Sequence, residues 1–70
     1  MKDNQGKDIY LFVWEDVLIN YTPGLAVALA HNLEEALKML NKEAEYDLDL
    51  PLSRMKKYNT PKGIYVEGGG

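Results

Sequence analysis

The chain is 70 residues long, has no cysteine and one histidine, and carries a formal net charge of −3 at pH 7. This length bounds the chain to one small domain, residues 1–70, and the absence of cysteine excludes disulfides and thiolate metal sites as its stabilising devices. Residues 1–50 carry four lysines and ten acidic side chains, which argues against a general nucleic-acid binder, because such a protein needs a basic face.

The first predicted element is a strand over residues 8–17, which are rich in β-branched and aromatic side chains. Read at a period of two, both of its faces are apolar. The aliphatic face consists of Ile9, Leu11 and Val13, and the aromatic face consists of Tyr10, Phe12 and Trp14. A strand with two apolar faces is predicted to be central in its sheet and covered on both sides.

A turn is predicted at residues 22–24, where Pro23 presets φ and Gly24 supplies the positive φ of a type II turn. Residues 25–30 then indicate a second strand, antiparallel to the first, with leucine and valine on one face and alanine on the other. This alanine-rich run is also compatible with a helix. The preceding proline–glycine pair and the helix start that follows it favour a strand.

The helix start is Asn32, a typical N-cap residue, with Glu35 three positions later as in a capping box. Apolar residues then recur at helical spacing along one stripe, which consists of Leu33, Ala36, Leu37, Leu40 and Ala44. The pattern predicts a helix over residues 33–45.

The last third of the chain predicts two further strands. Residues 46–50 alternate apolar and acidic side chains, which is typical of a half-buried strand that Pro51 ends or places at a sheet edge. Residues 52–62 are predicted to be irregular, and residues 64–67 form a short last strand before the glycine tail, which consists of Gly68, Gly69 and Gly70. The expected fold is α+β: a ββαββ domain with a mainly antiparallel sheet and one helix packed on one face.

One helix can cover only one face of such a sheet, and the aliphatic face matches the helix stripe in size and chemistry. The aromatic face then remains an exposed apolar patch, which is typical of an interface. We therefore predict that Tyr10, Phe12 and Trp14 form a homodimer or partner interface. Two alternatives stay open: the helix packs on the aromatic face instead, or residues 52–62 fold over it.

The residues that could carry chemistry do not form a catalytic or metal-binding motif. His31 has no nucleophile or orienting carboxylate beside it in any motif. Glu15 and Asp16 point to opposite faces of a strand, and Asp47 and Asp49 lack the further oxygen ligands of a calcium or magnesium site. We expect a binding protein that is not an enzyme and uses no cofactor or metal.

The carboxylates form a second candidate surface, suited to a basic protein partner. The predicted acidic partner surface consists of Glu15, Asp16, Glu43, Glu45, Asp47 and Asp49. Such side chains can occupy the positions of phosphates in a groove that normally holds nucleic acid. Because no apolar segment is long enough to cross a bilayer and residues 1–7 are polar, we expect a cytoplasmic location without membrane contact.

The ββαβ element order that ends in Gly69 and Gly70 resembles the β-grasp family of ubiquitin-like and sulfur-carrier proteins. In that family the terminal carboxylate is adenylated and then thiolated or conjugated. The resemblance implies a carrier that acts through Gly70, and the chain departs from the family pattern by its third glycine.

Residues 13–18, 21–24, 26–31 and 34–36, together with the final glycines, resemble short reading frames of phages and prophages. This resemblance implies a small anti-defence protein of the Hachiman anti-defence type, which inhibits a bacterial immune complex by binding it. The expected function is therefore stoichiometric inhibition of a host defence protein in the host cytoplasm, with the β-grasp carrier as the alternative.

Overall fold

The computed structural model describes residues 1–19 and 22–65, and the side chains of all of these except residues 18, 19, 22 and 23. Its elements are strand β1 (Tyr10–Ile19), strand β2 (Thr22–Ala30), helix α1 (Leu33–Ala44), a short 3₁₀ turn (Leu52–Arg54) and strand β3 (Met55–Tyr58). The three strands form an antiparallel sheet in the order β2-β1-β3. The predicted α+β class is confirmed, and β1 is the central strand as expected.

β1 and β2 pair without a shift from Tyr10 opposite Ala30 to Trp14 opposite Ala26. Residues that lie directly opposite each other in an antiparallel pair share a face. Each aromatic ring of β1 therefore lies beside an alanine of β2. The small alanines leave room for the rings and for the helix above them.

The turn predicted at residues 22–24 is wrong, because these residues belong to β2. Pro23 lies opposite Leu18, and Gly24 lies opposite Val17. A proline fits here because β2 is at the edge of the sheet, where one side of the strand needs no ladder hydrogen bonds. The connection between the strands, residues 20 and 21, lies outside the described residues.

The aromatic face lies beneath α1, so the prediction that it forms an exposed interface is wrong. The side chains of Trp14 and Phe12 are 0% and 1% exposed. They belong to a core cluster that consists of Phe12, Trp14, Val17, Ala26, Ala28, Ala30 and Ala36, with Tyr10 packed against it. Close packing explains the choice of face: alanines on both β2 and α1 leave a volume that large rings fill.

α1 begins and ends almost as predicted. Asn32 is the N-cap, and its side chain accepts a hydrogen bond of 2.8 Å from the backbone N–H of Glu35. The helix ends at Ala44, one residue before the predicted end, because Glu45 adopts a left-handed conformation and its N–H donates to the carbonyl of Asn41. The stripe faces the sheet through Ala36, Leu33, Leu37 and Leu40, but it packs on the aromatic face and not on the predicted aliphatic one.

The C-terminal half differs from the prediction in two places. Residues 46–50 form no strand, although Leu50 packs against the core. The basic residues predicted to be irregular contain β3, which pairs antiparallel with β1 from Trp14 opposite Met55 to Leu11 opposite Tyr58. The predicted strand at 64–67 is irregular at residues 64–65. Its remainder and the glycine tail lie outside the described residues.

Candidate functional site

An open cavity of about 230 Å³ lies beside the middle of β1. We call it the bulge cleft, and it is lined by Asp16, Val17, Asp49, Pro51 and Arg54. Two members of the predicted acidic partner surface, Asp16 and Asp49, therefore line the same cavity. The guanidinium group of Arg54, which was not predicted to belong to this surface, lines the cavity with them.

A β-bulge places Asp16 in this cleft. Simple alternation along β1 would put Asp16 on the aromatic face, on the same side as Trp14 and inside the core. Asp16 instead has a left-handed φ of 55°, and the pairing register shifts between Glu15 and Val17. Val17 consequently takes the buried position, and the carboxylate of Asp16 is exposed. Aspartate is among the residues that adopt this conformation most readily.

Asp49 reaches the cleft because the segment after α1 folds back over the sheet. The backbone N–H of Leu48 donates to Asn41 Oδ1 at 2.8 Å, and Leu50 packs against the core. Alternation along this extended segment leaves Asp49 exposed. Within the described residues, Arg54 forms no ion pair with either cleft carboxylate, so all three charged groups can contact a partner.

The other four residues of the predicted acidic surface do not line the cleft. Glu15 is half-buried on β1, whereas Glu43, Glu45 and Asp47 are exposed at the end of α1 and just after it. The structure thus brings two of the six together, and the other four lie on β1, at the end of α1 and just after it.

His31 forms a cluster that the sequence did not reveal. Its Nε2 lies 2.5 Å from Asp3 Oδ2, and its Nδ1 lies 3.0 Å from Glu35 Oε1. Asp3 also accepts hydrogen bonds from the backbone N–H groups of Gln5 and Lys7, at 2.8 and 2.9 Å. We call the three side chains Asp3, His31 and Glu35 the His31 clamp. Asp3 was missed because it lies 28 positions from His31 in the sequence.

The two carboxylates of the clamp favour the protonated form of His31. The hydrogen bond to Asp3, followed by the one to Glu35, raises the pKa of His31 above its ordinary value. His31 in turn lowers the pKa of Asp3 to about 2, with help from the Lys7 backbone N–H. The arrangement ties the N-terminal loop to the start of α1.

The outer face of the sheet carries the aliphatic side chains that were expected beneath the helix. Leu25, Val27 and Leu29 of β2 are 38%, 39% and 46% exposed, and we call them the β2 row. Val13, their neighbour on β1, is fully buried. Exposed apolar side chains therefore lie on β2, on the sheet face away from α1, and not at Phe12 and Trp14.

Within residues 1–19 and 22–65, no helix is long and apolar enough to span a bilayer. In the same residues, no three histidine, cysteine or acidic side chains are grouped so as to hold a metal ion. Comparison of the chain with known protein families, with curated proteins and with solved structures found no match.

Proposed function

We propose that this protein is a non-catalytic binding protein, an inhibitor of phage type that blocks a bacterial anti-phage defence complex by stoichiometric binding. The proposal includes a homodimer. The observation that supports the inhibitor role best is the meeting of Asp16 and Asp49 in one open cleft. The resemblance to phage reading frames supplies the class of target.

The chemistry of the cleft suits a basic groove. Two exposed carboxylates offer acceptor oxygens to arginine and lysine side chains, as phosphates do, and charge-assisted bonds of this kind contribute about 1.5–3 kcal/mol each. Arg54 lines the same cleft and can donate hydrogen bonds to an acidic side chain of the partner. The partner surface we propose is therefore one that otherwise holds nucleic acid.

The remaining acidic side chains act at longer range. Glu43, Glu45 and Asp47 are exposed near the cleft segment, and the first 50 residues have six more acidic than basic side chains. Such a field accelerates association with a basic partner and is screened by salt over roughly 8–10 Å at physiological ionic strength. Binding should consequently weaken as salt is added.

The test is phage plating on bacterial strains that each carry one defence system, with and without this gene. We expect plating to be restored in one strain, which identifies the target. The double variant D16N/D49N should lower that rescue at least about tenfold, because even one lost charge-assisted bond of about 1.5–3 kcal/mol exceeds the 1.4 kcal/mol that corresponds to a tenfold change in affinity. Asparagine also tolerates the left-handed conformation at position 16, so the bulge is preserved.

The matched control is D8N/E34Q, which removes the same charge from two exposed acids that pair locally with Lys2 and Lys38. It should rescue plating as the wild type does. Equal loss in both double variants would assign the effect to net charge and contradict a role for the cleft. Failure to relieve any system in a broad panel would reject the anti-defence function.

A further inference from the structure

The two edges of the sheet differ in how they are protected. β3, at one edge, carries Lys56 and Lys57, the kind of charged side chains that prevent sheet edges from pairing with other chains. β2, at the other edge, has nine residues and no charged side chain. Among the described residues no strand pairs with its outer side. Pro23, which hinders pairing locally, lies near one end of the strand. Residues 24–30 therefore contain neither a proline nor a charge that would prevent pairing with another chain.

The β2 row is symmetric about its own centre. Leu25 and Leu29 lie two positions on either side of Val27, and all three are exposed by similar fractions. An antiparallel copy with its two-fold axis beside Val27 would place Leu25 against Leu29 of the second copy and each Val27 against the other. Such a contact is self-complementary and closes as a dimer.

We infer that a second copy of this chain pairs antiparallel along β2, so that two three-stranded sheets become one six-stranded sheet. The inference rests on the homodimer of the proposed function and specifies its surface. It is independent of the inhibitor's target. Main-chain hydrogen bonds join the two edges, and the two β2 rows form one apolar patch across the axis.

Charge favours a second copy over a different partner. An uncharged strand offers no attraction for a basic or acidic segment, whereas it keeps the charges of two like chains apart. Three partly exposed side chains are far fewer than the 20–30 residues, and about 800 Å² per partner, of a stable interface. The dimer should therefore be weak and should dissociate at micromolar concentrations.

Sedimentation equilibrium from about 1 μM to 1 mM tests this directly, since that range brackets weak interfaces. The mass of the wild type should rise from that of one 7.9 kDa chain to twice that value. V27K should remain a single chain throughout, because two lysines would face each other on the axis. The control L52K changes another exposed aliphatic residue, 60% exposed and outside β2, and should behave as the wild type.

A wild type that remains a single chain at every concentration would reject the homodimer and this inference together. A dimer that V27K leaves intact would reject β2 as the surface and leave the homodimer standing. Cross-linking tests whether β2 is the interface even if V27K fails to fold. The chain has no cysteine, so V27C should form an intermolecular disulfide under mild oxidation and L52C should not. The reverse result would place the interface elsewhere.

Discussion

Asp16 decides which side chains of β1 reach the core. Its left-handed φ of 55° adds one residue to the strand, so that the buried face continues from Trp14 to Val17. Without this bulge a carboxylate would lie among aromatic rings, at a cost of several kcal/mol for an unpaired buried charge. The same bulge gives the cleft its first carboxylate. One backbone conformation thus completes the core and begins the candidate site.

Trp14 should be the most sensitive position of the core. Its side chain is fully buried and its indole N–H has no acceptor in the described part of the chain, so it stabilises the fold through volume and apolar contact. Trp14→Ala should lower the free energy of unfolding by about 3–5 kcal/mol, which is comparable to the total stability of so small a domain. Urea unfolding followed by circular dichroism measures it.

Leu29→Ala is the matched control for this prediction, because Leu29 lies on the opposite face and is nearly half exposed. Leu29→Ala should lower the free energy of unfolding by less than half as much as Trp14→Ala, because the Leu29 side chain removes less apolar surface from water when the protein folds. Equal costs for the two substitutions would contradict the assignment of the aromatic face to the core.

The His31 clamp predicts a pH window of stability. The raised pKa of His31 contributes stability that is complete below its ordinary value of 6.5 and is lost as pH rises through the raised value. The lowered pKa of Asp3 contributes stability that is complete above its ordinary value of 3.8 and is lost as pH falls toward about 2. The clamp is therefore strongest between these two ordinary values.

Thermal melts of the wild type and His31→Gln should differ most in that window and converge at both ends of the pH range. An NMR titration should show the His31 ring losing its proton above the ordinary range. The control E34Q removes a solvent-exposed ion pair with Lys38 and should show no such window. A ring that titrates at or below pH 6.5 would contradict the clamp.

Whether a segment forms a strand depends on the strand beside it as much as on its own composition. Residues 46–50 have strand-like alternation, and their acidic side chains are indeed exposed, but in the described part of the chain no strand lies beside them to form a ladder. Residues 55–58 contain two lysines, which strands generally disfavour, yet they pair with the open edge of β1. No local pattern could reveal this, because the pairing depends on where the chain returns after α1.

The sequence contains the information needed to predict which face of β1 is buried beneath α1. Alanines alternate through β2 and recur on α1, and small residues on two facing elements require large partners. Side-chain chemistry alone favours the aliphatic face of β1 as the partner of α1, whereas the volume between the elements favours the aromatic face. By contrast, α1 was predicted within one residue, because its N-cap and apolar stripe are local signals.

The C-terminal end of α1 gives a prediction for a single element. Glu45 has a φ of 65°, which favours glycine, so Glu45→Gly should stabilise the protein by about 0.5–1 kcal/mol. Glu43→Gly, two residues earlier and still helical, should destabilise it by a similar amount. Paired urea titrations measure both, and a loss of stability in Glu45→Gly would contradict the left-handed cap.

In the whole molecule, the two proposed surfaces occupy different parts of the sheet. Arg54 of the bulge cleft immediately precedes β3, whereas the β2 row lies at the opposite edge. A dimer through β2 would therefore leave both clefts free. The sequence identified the acidic residues but not their grouping, because Asp16 and Asp49 meet only through the bulge and the returning segment 46–50.

Stoichiometric binding can be measured by titrating the identified defence complex with the purified protein. Activity of a fixed amount of complex should fall linearly as protein is added and reach its minimum at one chain per binding site. Added salt should weaken the inhibition, because exposed charges are screened. Inactivation of many complexes by a single chain would reveal turnover and contradict stoichiometric inhibition.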